Sequence, residues 1–219
     1  MVFAAFDLES ETLTKIADPE ADNPGNRFND GKCDPAGRFW AGTMAYDNPT
    51  DQGSLYRLDT DMSVHKMLGD IGIANGIIWS LDAKTMYYID SVRHNVRAFD
   101  YDNATGDIAN ERVIIATDKS MGLPDGMTID AEGMLWVAYY GGSCIRRWNP
   151  DTGEQLDQID LPTKSITACA FGGPNLETLF ITCACQRMDE AALAREPLAG
   201  ALFATKPGVR GVPSHKFAG

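Results

Sequence analysis

A chain of 219 residues with 44% hydrophobic and 23% charged side chains is long enough to bury a full core without disulfides, and its composition excludes extended disorder. The net charge of −12 argues against a nucleic-acid backbone or an anionic membrane surface as partner. No apolar run reaches the roughly 18 residues of a membrane span. Met1 to Phe6 meets Asp7 and Glu9 with no basic lead, unlike a secretory signal. The expected setting is therefore the cytoplasm, with the five cysteines reduced and mostly buried. Cys183 and Cys185 form the one close pair, and no second pair completes a zinc site.

Taken in order, Phe3 to Phe6 and Leu13 to Ile16 read as two short strands around an acidic turn. Asp18 to Gly25 is a polar loop leading into Asn26-Arg27-Phe28-Asn29-Asp30-Gly31-Lys32-Cys33. That stretch begins as a polar cluster on a loop and becomes a small-residue strand. It turns at Asp34-Pro35-Ala36-Gly37 and leaves through the aromatic strand Phe39 to Met44. Tyr46 to Gly53 is loop, after which Ser54 to Leu58 alternates as a half-buried strand and pairs with Val64 to Leu68.

The same plan returns at Asn75-Gly76 with Met86 to Asp90 behind it, followed by Asn95 to Tyr101 and Arg112 to Ile115. It returns again at Asp125-Gly126 with Met134 to Ala138 behind it, followed by Ser143 to Trp148 and Gln155 to Ile159. A weaker fourth copy runs Thr167 to Gly173 and Thr178 to Thr182, with a short helix over Asp189 to Arg195 and a strand over Gly200 to Ala204. The steps from Asp30 to Asn75, Asp125 and Thr167 are 45, 50 and 42 positions. Periods of about 40–50 residues with four short strands each predict an all-β chain, a β-propeller. Residues 1–219 make one propeller domain of about four to five blades' worth of sequence at roughly 46 residues per blade. Val2 to Ile16 reads as the outer half of a blade, so the domain is expected to be incomplete at its N-terminal side.

In a propeller the leading ends of the innermost strands open onto one face. The repeats thus bring Asn29-Asp30, Asn75 and Asp125 to one mouth, with Gly31, Gly76 and Gly126 letting backbones crowd. Hard oxygen donors there suit Ca²⁺, Mg²⁺ or Mn²⁺. The alternative is plain turn chemistry, since Asn-Gly and Asp-Gly are common turn dipeptides. Arg27, two positions before Asn29, is suited to fork onto a ligand oxygen. Its alternative is an ion pair with the acids of the 18–22 loop. His65, His94 and His215 share no triad or zinc spacing, and no Gly-x-Ser-x-Gly elbow or phosphate loop is present. The tryptophans Trp40, Trp79 and Trp136 read as packing between blades.

Asn26-Arg27-Phe28-Asn29-Asp30-Gly31-Lys32, Gly42-Thr43-Met44, Asn75-Gly76, Trp79-Ser80, Pro124-Asp125-Gly126-Met127 and Phe171-Gly172-Gly173 together resemble the senescence-marker-protein/gluconolactonase family. The resemblance runs over essentially the whole chain, to Phe217-Ala218-Gly219. It implies a six-bladed propeller, one divalent metal (Ca²⁺, Zn²⁺, Mn²⁺ or Mg²⁺) and hydrolysis of sugar-acid lactones, an ester-hydrolase activity on a small-molecule substrate. By position Asn75 and Asp125 match two of the family's metal ligands, and Asp125 also matches its general base. Arg27 and Asn29 match residues that hold substrate, and Asp47 falls where relatives have a glutamate contacting the sugar. The resemblance also implies a further metal-binding glutamate, in a segment preceding the residue that matches Met1. Without it, Asn75 and Asp125 offer a single negative charge, and metal affinity is expected to fall unless another acid such as Asp30 substitutes. A non-catalytic calcium-binding role and an inactive shortened isoform are the alternative expectations.

Overall fold

The computed structural model describes residues 2–47 and 50–219; Met1, and positions 48 and 49 of the expected loop after Met44, lie outside the described residues. The chain divides into two compact units, Met1–Ala74 with His215–Gly219, and Asn75–Ser214.

In the first unit β1 (Phe3–Asp7) and β2 (Thr12–Ala17) pair as a hairpin. The strands β3 (Asn26–Cys33), β4 (Phe39–Ala45), β5 (Gly53–Leu58) and β6 (Val64–Ile71) follow as a four-stranded antiparallel meander. The polar run Asn26 to Asp30, expected on a loop, is part of β3 itself. Phe3, Ala41, Tyr56 and Leu58 form one core cluster of this unit, with Phe28, Phe39 and Phe217 packed against it. The C-terminal residues return here rather than forming a strand: the Ala218 N–H donates to the Gly37 carbonyl over 3.0 Å.

The second unit begins with the meander β7 (Ala74–Trp79), β8 (Thr85–Asp90), β9 (Asn95–Tyr101) and β10 (Ile108–Ala116), whose first residue belongs to the other unit. Next come β11 (Leu123–Ile129), β12 (Leu135–Tyr140), β13 (Cys144–Trp148) and β14 (Gln155–Asp160). A three-stranded sheet of β15 (Ile166–Gly172), β16 (Thr178–Cys183) and β17 (Leu202–Thr205) ends the series. The short helix α1 (Glu190–Arg195) lies between its last two strands, with Asp189 capping it by accepting from the Ala192 N–H at 2.7 Å. These meanders are the blades of a β-propeller.

Their pleat explains the packing. Alternate residues of the middle strands point to opposite faces, so each blade has an apolar side for each neighbour. Tyr87, Ile89, Val96 and Ala98 of one blade meet Ile129, Leu135, Val137 and Tyr139 of the next. Trp136, Ala138 and Ile145, on the other face of that second blade, meet Ile166, Cys169, Leu179 and Ile181. A cross-strand pair recurs between second and third strands: Trp40 opposite Arg57, Tyr88 opposite Arg97 and Trp136 opposite Arg147. In each the guanidinium lies over the ring, at 5.8, 5.3 and 5.8 Å from its centroid.

The turn between first and second strands is built the same way twice. Asp34 Oδ1 accepts from the Ala36 and Arg38 N–H groups, and Oδ2 accepts from Trp40 Nε1 at 3.0 Å. Asp130 repeats this with Glu132, Met134 and Trp136 Nε1, the last at 2.9 Å, and adds Arg147. Both carboxylates are fully buried, and their donors replace the lost water. In the blade of β7 the position corresponding to Asp34 and Asp130 holds Ser80, and that corresponding to the tryptophans holds Met86. With no indole N–H to satisfy, a hydroxyl accepting from the Lys84 and Thr85 N–H groups is enough. Gly37, Ala83 and Gly133 close these turns at positive φ.

All five cysteines are free. Cys144 and Cys169 are buried, whereas Cys185 is exposed just past the end of β16, against the expectation of mostly buried thiols. No helix among the described residues is long and apolar enough to cross a membrane.

Replacing Asp130 with Ala orphans an indole N–H, two backbone N–H groups and part of the Arg147 pairing. Urea unfolding should show a loss of about 3 kcal/mol. Ser80→Ala should cost no more than about 1 kcal/mol. Equal costs at the two sites would contradict this account of the turns.

Candidate functional site

Of the predicted residues, Arg27, Asn29, Asn75 and Asp125 fall on the innermost strands, and the blade register decides which of them correspond. In β3, Phe28 pairs with Thr43 and Gly31 with Ala41, so Asn29 and Asp30 together face Gly42. In β11, Pro124 pairs with Tyr139 and Met127 with Val137, so Asp125 and Gly126 together face Ala138. Each is a β-bulge, which interrupts the ladder and re-aims the side chains within it. A third register shift places Thr167 at the corresponding point of β15. Counted back from the turn residues Asp34, Ser80 and Asp130, the equivalents are Asn29, Asn75 and Asp125. The spacing measured from Asp30 was therefore one residue out of register. Asp30 stands where the other two blades have Gly76 and Gly126.

Those two glycines have a visible reason. A Cβ on Gly76 would lie 2.8 Å from the Asp125 carbonyl oxygen and 2.6 Å from Met127 Cβ. A Cβ on Gly126 would lie 2.8 Å from the Thr167 carbonyl oxygen and 2.7 Å from Ala168 Cβ. Successive innermost strands approach too closely there for a side chain. The expected crowding is thus present within this unit at Gly76 and Gly126, whereas Gly31 crowds its own blade, against the Trp40 carbonyl.

Asn75 is 7% exposed. Its Nδ2 donates to Ser91 Oγ over 2.7 Å, and Ser91 Oγ donates to the Pro124 carbonyl over 2.6 Å. Ser91 thus ties the Asn75 amide to the residue just before Asp125. Ser91 thereby fixes the Nδ2 end of the amide, and the other end, the amide oxygen, is the one whose chemistry suits a hard cation. Ser91 was missed in the sequence because periodicity carries no signal for it. The corresponding positions in neighbouring blades, Ala45 and Gly141, have no hydroxyl.

In the first unit Arg27 Nη1 donates to Asn29 Oδ1 over 2.7 Å and to the Phe28 carbonyl over 3.0 Å. The expected alternative, an ion pair with the acids of the 18–22 loop, is not formed among the described residues. Glu20 instead accepts from Asn26, Thr43 and Tyr56, and Asp18 pairs with Lys15 at 3.6 Å. Asn29 is exposed, and its Nδ2 donates to the Ala74 carbonyl over 2.7 Å. The carbonyls preceding Asn75 and Asp125 are therefore both captured by side chains, one by Asn29 and one by Ser91. Asp47 lies exposed in the bend after β4.

Among the described residues no three His, Cys, Asp or Glu side chains gather around one point. The set proposed for a cation is instead one amide oxygen and one carboxylate, from the adjacent strands β7 and β11. Both are hard donors and suit a divalent cation that keeps water or substrate in its remaining positions. Asp30 is a different case. Loss of hydration pushes its carboxyl pKa upward, opposed by the Lys32 charge and by the Gly31 N–H, which donates to Oδ1 over 2.7 Å.

Two outcomes follow. Gly76→Ala forces β7 and β11 apart and should cost about 1–3 kcal/mol in chemical denaturation. For Asp30 the folded state holds its proton more tightly than the unfolded chain, so stability falls as pH rises from the unfolded value to the raised folded one. Above that window the ionised carboxylate counts against folding in full. Asp30→Asn should therefore raise the melting temperature at pH 7, and the gain should vanish as pH falls towards about 4. A gain that grows on acidification would refute the desolvated carboxylate.

The family model described as SMP-30/Gluconolactonase/LRE-like region matches residues 1–185. Regucalcin of Oryctolagus cuniculus is 45% identical over 223 residues, covering 99% of this chain and 75% of the relative. Among solved structures, a calcium-binding protein, regucalcin, from Agrobacterium tumefaciens superposes with a TM-score of 0.91 at 32% identity. That match covers 98% of this chain and 72% of the other. A luciferin-regenerating enzyme superposes with a TM-score of 0.87 at 40% identity, over 94% of this chain and 69% of the other. With its propeller blades, its bulged innermost strands and this likeness along nearly its whole length, the chain belongs to the SMP-30/gluconolactonase/LRE-like family.

Proposed function

We propose that the protein is a metal-dependent lactonase that opens sugar-acid lactones. The observation that supports this most directly is the Asn75–Ser91–Pro124 hydrogen-bond chain beside Asp125, reinforced by the contact of Gly76 with the Asp125 carbonyl. It orients the Asn75 amide and fixes the backbone just before Asp125 on the adjacent strand, so less ordering is needed when a ligand arrives. Asn75 and Asp125 would hold the divalent cation, which when bound supplies Lewis acidity to a lactone carbonyl.

The remaining roles belong to side chains of the protein. Asp125 takes a proton from the attacking water, as a general base. Ser91 keeps the Asn75 amide oriented. Arg27, with no carboxylate partner among the described residues, and Asn29, exposed beside it, bind hydroxyls of the open or closed sugar acid. Asp47 contributes a further sugar contact. A second reading, calcium binding without catalysis, draws on the description of the Agrobacterium relative as a calcium-binding protein.

Hydrolysis of glucono-δ-lactone, followed by pH-stat with added Ca²⁺, Zn²⁺, Mn²⁺ or Mg²⁺, separates the two. Metal-dependent turnover that falls about 10²–10⁴-fold in Asp125→Asn is the expected result. Calcium binding by calorimetry, with no hydrolysis above the spontaneous rate for any of the four metals, would leave the second reading in place of the first.

A further inference from the structure

The close cysteine pair of the sequence, Cys183 and Cys185, has no part in the proposed hydrolysis, and Met188 follows it after two residues. Cys183 is the last residue of β16, and Cys185 lies just past it. The segment between them is fixed by the Ala184 N–H, which donates to the Ser165 carbonyl over 2.8 Å. Both sulfurs then meet the turn that leads into β17. The Gly200 N–H donates to Cys183 Sγ over 3.2 Å. The carbonyl oxygens of Ala201 and Leu198 stand 3.3 and 3.5 Å from the same sulfur. A Cβ on Gly200 would lie 3.2 Å from Cys185 Sγ. One residue without a side chain is thus flanked by both thiols.

The chain then bends to bring back a third sulfur. The Met188 N–H donates to the Cys185 carbonyl over 3.3 Å, closing a turn with Arg187 at φ 63°. That is the left-handed region, which glycine occupies without cost and arginine does not. Such a turn sets its first and fourth Cα atoms within about 7 Å of each other, so Met188 returns to the side of Cys185. Met188 is half-buried between exposed neighbours. Two thiols and one thioether make a soft donor set. Among the described residues no third Cys, His, Asp or Glu joins the pair, as a tetrahedral zinc site would require. The carbonyl oxygens beside Cys183 favour a cation bound at that sulfur. Cys144 and Cys169, by contrast, are buried in the apolar packing between blades.

We propose that Cys183, Cys185 and Met188 bind one copper(I) ion through their three sulfurs. Thiolate and thioether ligands select this ion, and the two thiols give up their protons as it binds. Anaerobic titration of the reduced protein against the coloured copper(I)–bicinchoninate complex should withdraw one copper per chain. Cys185→Ser should weaken that uptake by more than the roughly 10–100-fold that losing an outer partner of a bound metal costs. Changing both Cys183 and Cys185 to Ser should abolish it, with the circular dichroism unaltered, although Cys33, Cys144 and Cys169 remain. X-ray absorption of the loaded protein should show sulfur neighbours alone, three in the unaltered chain and two in Met188→Leu. Failure of the unaltered protein to withdraw copper overturns the proposal without reliance on any variant. Copper retained by the doubly substituted chain would place it on other thiols and overturn it too. So would nitrogen or oxygen neighbours, or a sulfur count that Met188→Leu leaves unchanged. The titration contains neither lactone nor divalent cation, so its result is independent of the lactonase reading.

Discussion

The second unit depends on how closely its innermost strands approach one another. Gly76 against the Asp125 carbonyl, and Gly126 against the Thr167 carbonyl, leave no room for a side chain. This contact sets the distance between adjacent blades at their leading ends, where Asn75 and Asp125 stand. The apolar faces farther out, such as Ile89 and Val96 against Ile129 and Val137, provide most of the driving force because they remove most of the apolar area from water. They would tolerate small shifts. The glycine contact would not, because backbone meets backbone with no rotamer to adjust.

The bulges work with this contact. A regular ladder alternates its side chains strictly between two faces, so Asp125 in an unbroken strand would take whichever face the pleat assigned. Setting two residues opposite Ala138 frees it from that alternation. The cost is local, since a bulge interrupts the ladder's hydrogen bonding, and side chains cover part of it. Ser91 binds the Pro124 carbonyl, and Asn29 binds the Ala74 carbonyl. Asn29 and Ser91 therefore hold backbone carbonyls as well as standing beside the candidate site residues. A substitution at Ser91 disturbs the backbone beside Asp125 as well as the orientation of Asn75.

Away from the site, the buried Asp–Trp turns show how a repeat protein adjusts one feature to another. Trp40 and Trp136 each bring an indole N–H that needs an acceptor, and Asp34 and Asp130 supply it while closing the turn. Where the second strand carries Met86 instead, the acceptor shrinks to Ser80. The substitution pattern follows hydrogen-bond demand within each blade. Asp30 runs against that economy. It is a carboxylate at a glycine position, with one hydrogen bond among the described residues, which is why it stands out from the other repeat positions.

The repeat itself, most strand positions, the turns at Asp34 and Asp130, and the candidate residues Arg27, Asn29, Asn75 and Asp125 were all legible in the sequence. Those features are local: a period, an alternation, a dipeptide that favours a turn, a family motif. The correspondence between blades was not, because a bulge slips the register by one residue without changing composition or period, so Asp30 was counted where Asn29 belongs. Ser91 was invisible because its partners lie 16 and 33 positions away and its residue type does not recur at that place in neighbouring blades. The freedom of Arg27 from the 18–22 acids rested on a competition for Glu20 that Asn26, Thr43 and Tyr56 win. The docking of Ala218 on Gly37 brings the C-terminal residues to the turn between β3 and β4, which no local pattern encodes. The unit of construction is specified by neighbours along the chain, because those neighbours stabilise it. Register, partner choice and the approach of one strand to the next were decided by contacts between residues far apart in sequence, and only the tertiary structure contains those.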